Sequence, residues 1–113
     1  MRTSLIIGCA MALALCGLAR ARPSATHSLR IVNDSNAEIH EIHYAWTHTG
    51  RWGPDMLGKQ VLKPHAAFVI GNVSAGDYDI LFVNTGGHSC VAGPVSVYAN
   101  VTWVLTDRNC RQN

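Results

Sequence analysis

Asp77-Tyr78-Asp79-Ile80-Leu81-Phe82-Val83-Asn84 is the stretch that decides the fold. Successive side chains of an extended chain point to opposite faces, so Tyr78, Ile80 and Phe82 share one side and Asp77 and Asp79 the other. Leu81 and Val83 lie on the acidic side, which predicts that this face is partly covered toward its end. Thr85-Gly86-Gly87-His88 follows as a hairpin turn, because glycine adopts positive φ without steric cost. Ser89–Ala92 then reads as a short returning strand, interrupted by Gly93-Pro94.

The same period of two runs outward in both directions. Leu29 and Ile31 flank Arg30. Asn33-Asp34-Ser35-Asn36 is a turn cluster whose side chains can bond their own backbone. Glu38 to Thr47 places Ile42, Tyr44 and Trp46 on one face and Glu41, His43 and Ala45 on the other. Ile39 is out of phase with Ile42, which predicts a β-bulge between them. Residues 48–60 read as a long loop from which Leu57, like Val61 and Leu62 just after it, tucks back onto the core. Lys63-Pro64-His65 is a turn, Ala66–Ile70 a third strand, and Gly71–Gly76 another turn region. Val95 and Val97 begin a further strand, and Val101, Trp103 and Leu105 line the last. Sustained helical periodicity is missing after residue 27. Short strands at this spacing predict an all-β fold, a small antiparallel β-sandwich of about six or seven strands.

The N-terminus reads differently. Arg2 precedes an uncharged apolar or small run from Leu5 to Ala19, and Ala19-Arg20-Ala21 fits a small-x-small cleavage site. That run is shorter than the roughly 20 residues a membrane-spanning helix needs. A retained anchor is the alternative to cleavage. Lipidation at Cys16 is disfavoured because the bulky Leu15 precedes it. The expected organisation is a signal peptide over residues 1–21, a polar tail over 22–27 and a β-sandwich domain over 28–113, giving a periplasmic or secreted product.

Removal of the leader changes two balances. Nine basic residues become seven with the loss of Arg2 and Arg20, against seven acidic ones, so the formal charge falls from +2 to zero. Nothing then points to nucleic acid or to stable membrane insertion. Cys9 and Cys16 also leave, so of four cysteines Cys90 and Cys110 remain. In an exported small domain these are expected to pair. A closed loop of about 20 residues should contribute roughly 3 kcal/mol, mainly by restricting the unfolded chain.

The order Leu29-x-Ile31-x-Asn33, Ile39-x-x-Ile42, Trp52-Gly53-Pro54-Asp55-Met56-Leu57-Gly58, Leu62-x-Pro64 and Tyr78-Asp79-Ile80 resembles a family of small uncharacterised exported bacterial β-domains. Its members carry W-G-x-D-x-L-G between their second and third strands and Y-D-[IL]-x-[FVA] in a later one. The resemblance spans about residues 28–106, and the heptad is its most specific part. It implies a sandwich-like fold and export, and little about activity. Many members have glycine where His65 follows Pro64. Many also place cysteines where this chain has none, so the Cys90–Cys110 bridge is not one the resemblance supplies.

The loop from Thr47 to Gly58 is the first candidate site, since binding residues concentrate on loops held by a rigid scaffold. Trp46 and Trp52 flank it, with Arg51 and Asp55 inside, and such aromatics beside polar groups suit a sugar ring or a peptide. The opposing reading makes Trp52 a lid over the sandwich end and Asp55 an acceptor for backbone amides of the turn at Gly53-Pro54. A second candidate is a Zn²⁺ or Cu²⁺ site built on Glu41 and His43, which share a strand face, completed by His65 and His88 from turns. His40 and His48 lie about 27 Å apart along a strand, at roughly 3.4 Å per residue, and do not help. Asp77 and Asp79 share a face but sit in no calcium-type loop. Cys90 beside His88 is a nucleophile-base pairing that the expected disulfide removes. No hydrolase, phosphate-loop or dinucleotide motif occurs. The expectation is a non-enzymatic exported binding module without a cofactor, acting on a protein partner or an envelope carbohydrate. Metal handling is the alternative, and a small hydrolase comes third.

Overall fold

The computed structural model describes residues 25–112. The predicted leader, its cleavage after Ala21 and the first residues of the tail lie outside the described residues. The strands are β1 (Thr26–Asp34), β2 (Ile39–Trp46), β3 (Ala67–Ser74), β4 (Gly76–Asn84), β5 (Ser89–Val97), β6 (Val101–Thr106) and the two-residue β7 (Arg111–Gln112). No helix occurs among the described residues. One sheet has the order β3-β1-β6 and the other β2-β4-β5-β7. β1 starts at Thr26, so the last two residues read as polar tail belong to the sandwich.

The core lies between the sheets and follows the alternation. Tyr78, Ile80 and Phe82 of β4 are buried, and Ile42 lies opposite Phe82 across the β2–β4 pair. Leu29 and Ile31 of β1, Ile70 and Val73 of β3 and Leu105 of β6 fill the facing sheet. Phe82 stacks on Trp103 with ring centroids 5.7 Å apart, which joins the two layers. Asn33 takes the next inward position of β1 and is fully buried. Its amide donates to the Ala37 and Leu62 carbonyls at 2.8 and 3.0 Å. Its oxygen accepts from Ser35 N and Oγ at 3.0 and 2.6 Å. A buried amide needs such partners, so the turn cluster doubles as a polar clamp within the core.

The predicted bulge in β2 is present as a register shift between Ile39 and Glu41, and Thr85–His88 is the β4–β5 turn. Three expectations are corrected. Gly71–Gly76 is not a turn region, because β3 continues to Ser74. A register shift lets Ile70 and Val73, three apart, both face inward, with Asn72 at φ 56° between them. Gly93-Pro94 likewise does not end a strand. β5 runs through it, and the shift between Ala92 and Val95 keeps both buried. Here glycine is required by space as well as by its φ of 138°, since a Cβ would approach Asp79 Oδ1 at 2.7 Å and Tyr78 O at 2.9 Å. Finally, the sandwich is not wholly antiparallel. β1 and β6 pair in parallel, with Ile31 opposite Trp103. Hairpins force antiparallel neighbours, but the first and sixth strands share no hairpin and are free to align.

His65 has φ 71°. That left-handed conformation favours glycine.

Cys90 in β5 is bonded to Cys110, twenty residues on, beyond β6. The bridge ties β5 of one sheet to the chain leaving β6 of the other. Replacing both cysteines by serine is predicted to lower the unfolding free energy by about 3 kcal/mol. Urea denaturation checks this, and an unchanged midpoint contradicts it.

Candidate functional site

β2 is an edge strand of its sheet, and an uncovered edge offers unpaired amides and carbonyls to any passing strand. The heptad Trp52–Gly58 closes it. Gly53 N donates to Tyr44 O at 3.2 Å and Met56 N to Ile42 O at 2.7 Å. One carboxylate oxygen of Asp55 accepts both Ile42 N and Leu57 N, each at 3.0 Å. Leu57 drops into the core at 3% exposure, so the loop has an apolar anchor as well as a polar one. Further along the edge, Ile39 and Leu62 exchange two backbone bonds of 2.9 Å.

His43 ties the same loop from the outer face of β2. Its Nδ1 meets Gly53 O at 2.8 Å and its Nε2 meets Glu41 Oε1 at 2.9 Å. Both partners only accept, so the ring satisfies both only as an imidazolium donating from both nitrogens. Burial acts to lower the His43 pKa. The hydrogen bonds to Glu41 and Gly53, with the attraction of the Glu41 and Asp55 charges, outweigh it and hold the pKa above the ordinary 6.5.

Beside this covered edge opens a groove of about 700 Å³, within the range of small-molecule sites. Tyr44, Trp46 and Tyr78 line it, with Arg51, Pro54 and Met56 from the loop. Trp46 stacks on Tyr78, centroids 4.6 Å apart and planes 22° apart, and Tyr44 meets Tyr78 edge-on at 5.3 Å. The Tyr78 hydroxyl donates to Ser74 O. Burial, then the nearby Tyr44 and Tyr98, raises the Tyr78 pKa above 10, so the phenol stays neutral. Gly76 is buried beneath the indole, and a Cβ there would overlap the Trp46 ring. Trp46 is thus fixed in place yet 51% exposed, which makes it a presented face and not a core side chain.

The turn after Trp46 is pinned. Thr47 N donates to Asp77 O at 3.0 Å, His48 N to Asp79 Oδ2 at 3.1 Å, and Thr49 Oγ1 to Trp46 O at 2.8 Å. His48 at φ 67° and Gly50 at φ 64° reverse the chain and bring Arg51 to the groove wall.

Of the predicted binding residues, Trp46 and Arg51 meet at the groove. Trp52 is half-buried and does not line it, and Asp55 serves the backbone. Tyr44 and Tyr78 line it although their spacing reads only as core. The metal set does not assemble. His43 is paired with Glu41, His65 lies near Asp34 at 3.5 Å, and His88 sits in the β4–β5 turn. Among the described residues no three His, Cys, Asp or Glu side chains converge on a metal position. Asp77 accepts from Ser96 Oγ at 2.6 Å, apart from the bond Asp79 makes. Cys90 is held in its disulfide, so no thiolate stands beside His88 in the small hollow of about 100 Å³ at that end. Comparison with family models, with curated proteins and with solved structures gives no match.

Two predictions follow the loop chemistry. Asp55→Ala removes an acceptor serving two amides and should cost about 2 kcal/mol. Asp55→Asn keeps an oxygen there and should cost clearly less. Hydrogen exchange at Ile42 and Leu57 amides reads both, and equal protection in the two variants contradicts the assignment. For His43 the sign is set by its raised pKa. Its contribution is complete below pH 6.5 and is lost as pH rises through the higher folded value. NMR titration should place that value above 6.5, with exchange in the Gly53 region rising above it. A value at or below 6.5 contradicts the double-donor geometry.

Proposed function

We propose that the domain is an exported, non-enzymatic binding module, periplasmic or secreted, that holds a saccharide of the cell envelope in the Trp46 groove. The observation that carries this reading is the half-exposed Trp46 ring, fixed by Tyr78 on one side and Gly76 beneath. A rigid indole with a free face offers a flat apolar platform to the C–H face of a pyranose. It loses little conformational freedom on binding, because its position is already set. The neighbouring Arg51 and the backbone of the pinned turn supply polar groups at the rim, as a small-ligand site requires.

A peptide partner fits less well. Extended peptides gain most of their affinity by adding a strand to a free sheet edge. At the groove the β2 edge is already bonded to Gly53, Asp55 and Met56.

The test is an array of immobilised neutral and acidic oligosaccharides probed with the wild-type domain and with Trp46→Ala and Trp52→Ala. The wild type should be retained by at least one pyranose. Trp46→Ala should bind roughly tenfold more weakly, the value of one aromatic contact. Trp52→Ala should bind as the wild type does. Equal retention of wild type and Trp46→Ala contradicts the reading.

A further inference from the structure

We infer that the saccharide is acidic, and that its recognised unit is a hexuronate whose carboxylate pairs with Arg51 while its ring lies on Trp46. The inference rests on the saccharide reading above and deepens it. Arg51 is the one charged side chain on the groove wall. No carboxylate lies within ion-pair distance of it among the described residues, where the pairs are His43–Glu41 and His65–Asp34. The two acids bonded to this part of the chain are engaged by backbone amides. Asp55 turns an oxygen to Ile42 N and Leu57 N, and Asp79 accepts from His48 N. An exposed arginine on the wall of an otherwise uncharged, aromatic groove is an incomplete pair. Its planar fork of donors matches a carboxylate in two parallel bonds.

Distance along the chain favours one ligand making both contacts. Trp46 and Arg51 are joined by a turn in which Trp46 O accepts Thr49 Oγ1 at 2.8 Å and Thr49 Oγ1 accepts Arg51 N at 3.3 Å. The ring platform and the backbone that carries the cation are therefore held together. In a hexuronate the carboxylate is attached directly to the ring carbon. A ring lying flat on the indole then projects its charge sideways, toward the wall, and not into solvent above. General attraction for anions is not the cause, since after Ala21 the seven basic residues are matched by seven acidic ones.

The test uses trigalacturonate and its methyl ester, which share a ring and differ in charge, in calorimetry at fixed low salt. The wild-type domain should bind the acid at least tenfold more tightly than the ester, the scale of a charge-assisted bond. Arg51→Gln should bind acid and ester alike, at about the wild-type affinity for the ester. Arg108→Gln, which removes an exposed cation away from the groove, should keep the wild-type preference. Three results overturn the inference: equal binding of acid and ester by the wild type, a preference kept by Arg51→Gln, or no binding of trigalacturonate. In each of these cases, Trp46-dependent retention of a neutral pyranose leaves the saccharide reading standing. If Trp46→Ala binds trigalacturonate as the wild type does, both readings fall.

Discussion

One carboxylate oxygen of Asp55 accepts two amides: Ile42 N on the edge of β2 and Leu57 N at the loop's own turn. A carboxylate accepting amide hydrogens makes a stronger bond than a neutral acceptor, and these two bonds hold the loop that follows Trp46 against β2. With Leu57 in the core and Met56 N on Ile42 O, the heptad becomes an added rim on the sheet. Arg51, Pro54 and Met56 reach the groove because that rim is fixed. Without it, β2 would carry an open edge and Trp46 would stand at a flat end of the sandwich.

The second wall of the groove follows from β4. Tyr78 is buried at 3% exposure and its hydroxyl is bonded to Ser74 O, so it cannot swing away. Trp46, the last residue of β2, lies opposite Tyr78 in register and stacks on it. Gly76 supplies the space. The exposed ring is therefore a consequence of core packing one residue deeper, and the loop and the core act on the same side chain from two directions.

Much of this was legible in the residues. Tyr78, Ile80 and Phe82 alternate with acids, which is enough to assign the inward face. Ile39 and Ile42 are three apart, which announced the bulge, and the two cysteines left after the expected leader announced their pairing. The same three-apart spacing occurs at Ile70 and Val73, and at Ala92 and Val95, but glycine, asparagine and proline between them read as strand ends. Only the register of the partner strand shows that they are bulges. The parallel β1–β6 pair left no trace, because no local signal records which distant strand a strand will meet. At the site, Trp46 and Arg51 were readable from the loop. Tyr44 and Tyr78 were not, since a groove-lining aromatic and a core aromatic have the same spacing. The histidines were misleading in the opposite sense: close in sequence, they are dispersed by alternation and by the turns that hold His65 and His88.

The central proposal is that the groove between Trp46 and the Asp55-clamped loop is the binding face of this sandwich. Exposed apolar residues also occur elsewhere, at Val69 and Val104 on the outer side of the β3-β1-β6 sheet. Amide and indole chemical shifts recorded while an oligosaccharide that the domain retains is titrated in distinguish the two surfaces directly. The account predicts shifts at the Trp46 indole and across residues 49–56, with Val69 and Val104 unmoved. Shifts confined to Val69, Val104 and their neighbours, with Trp46 silent, would contradict it.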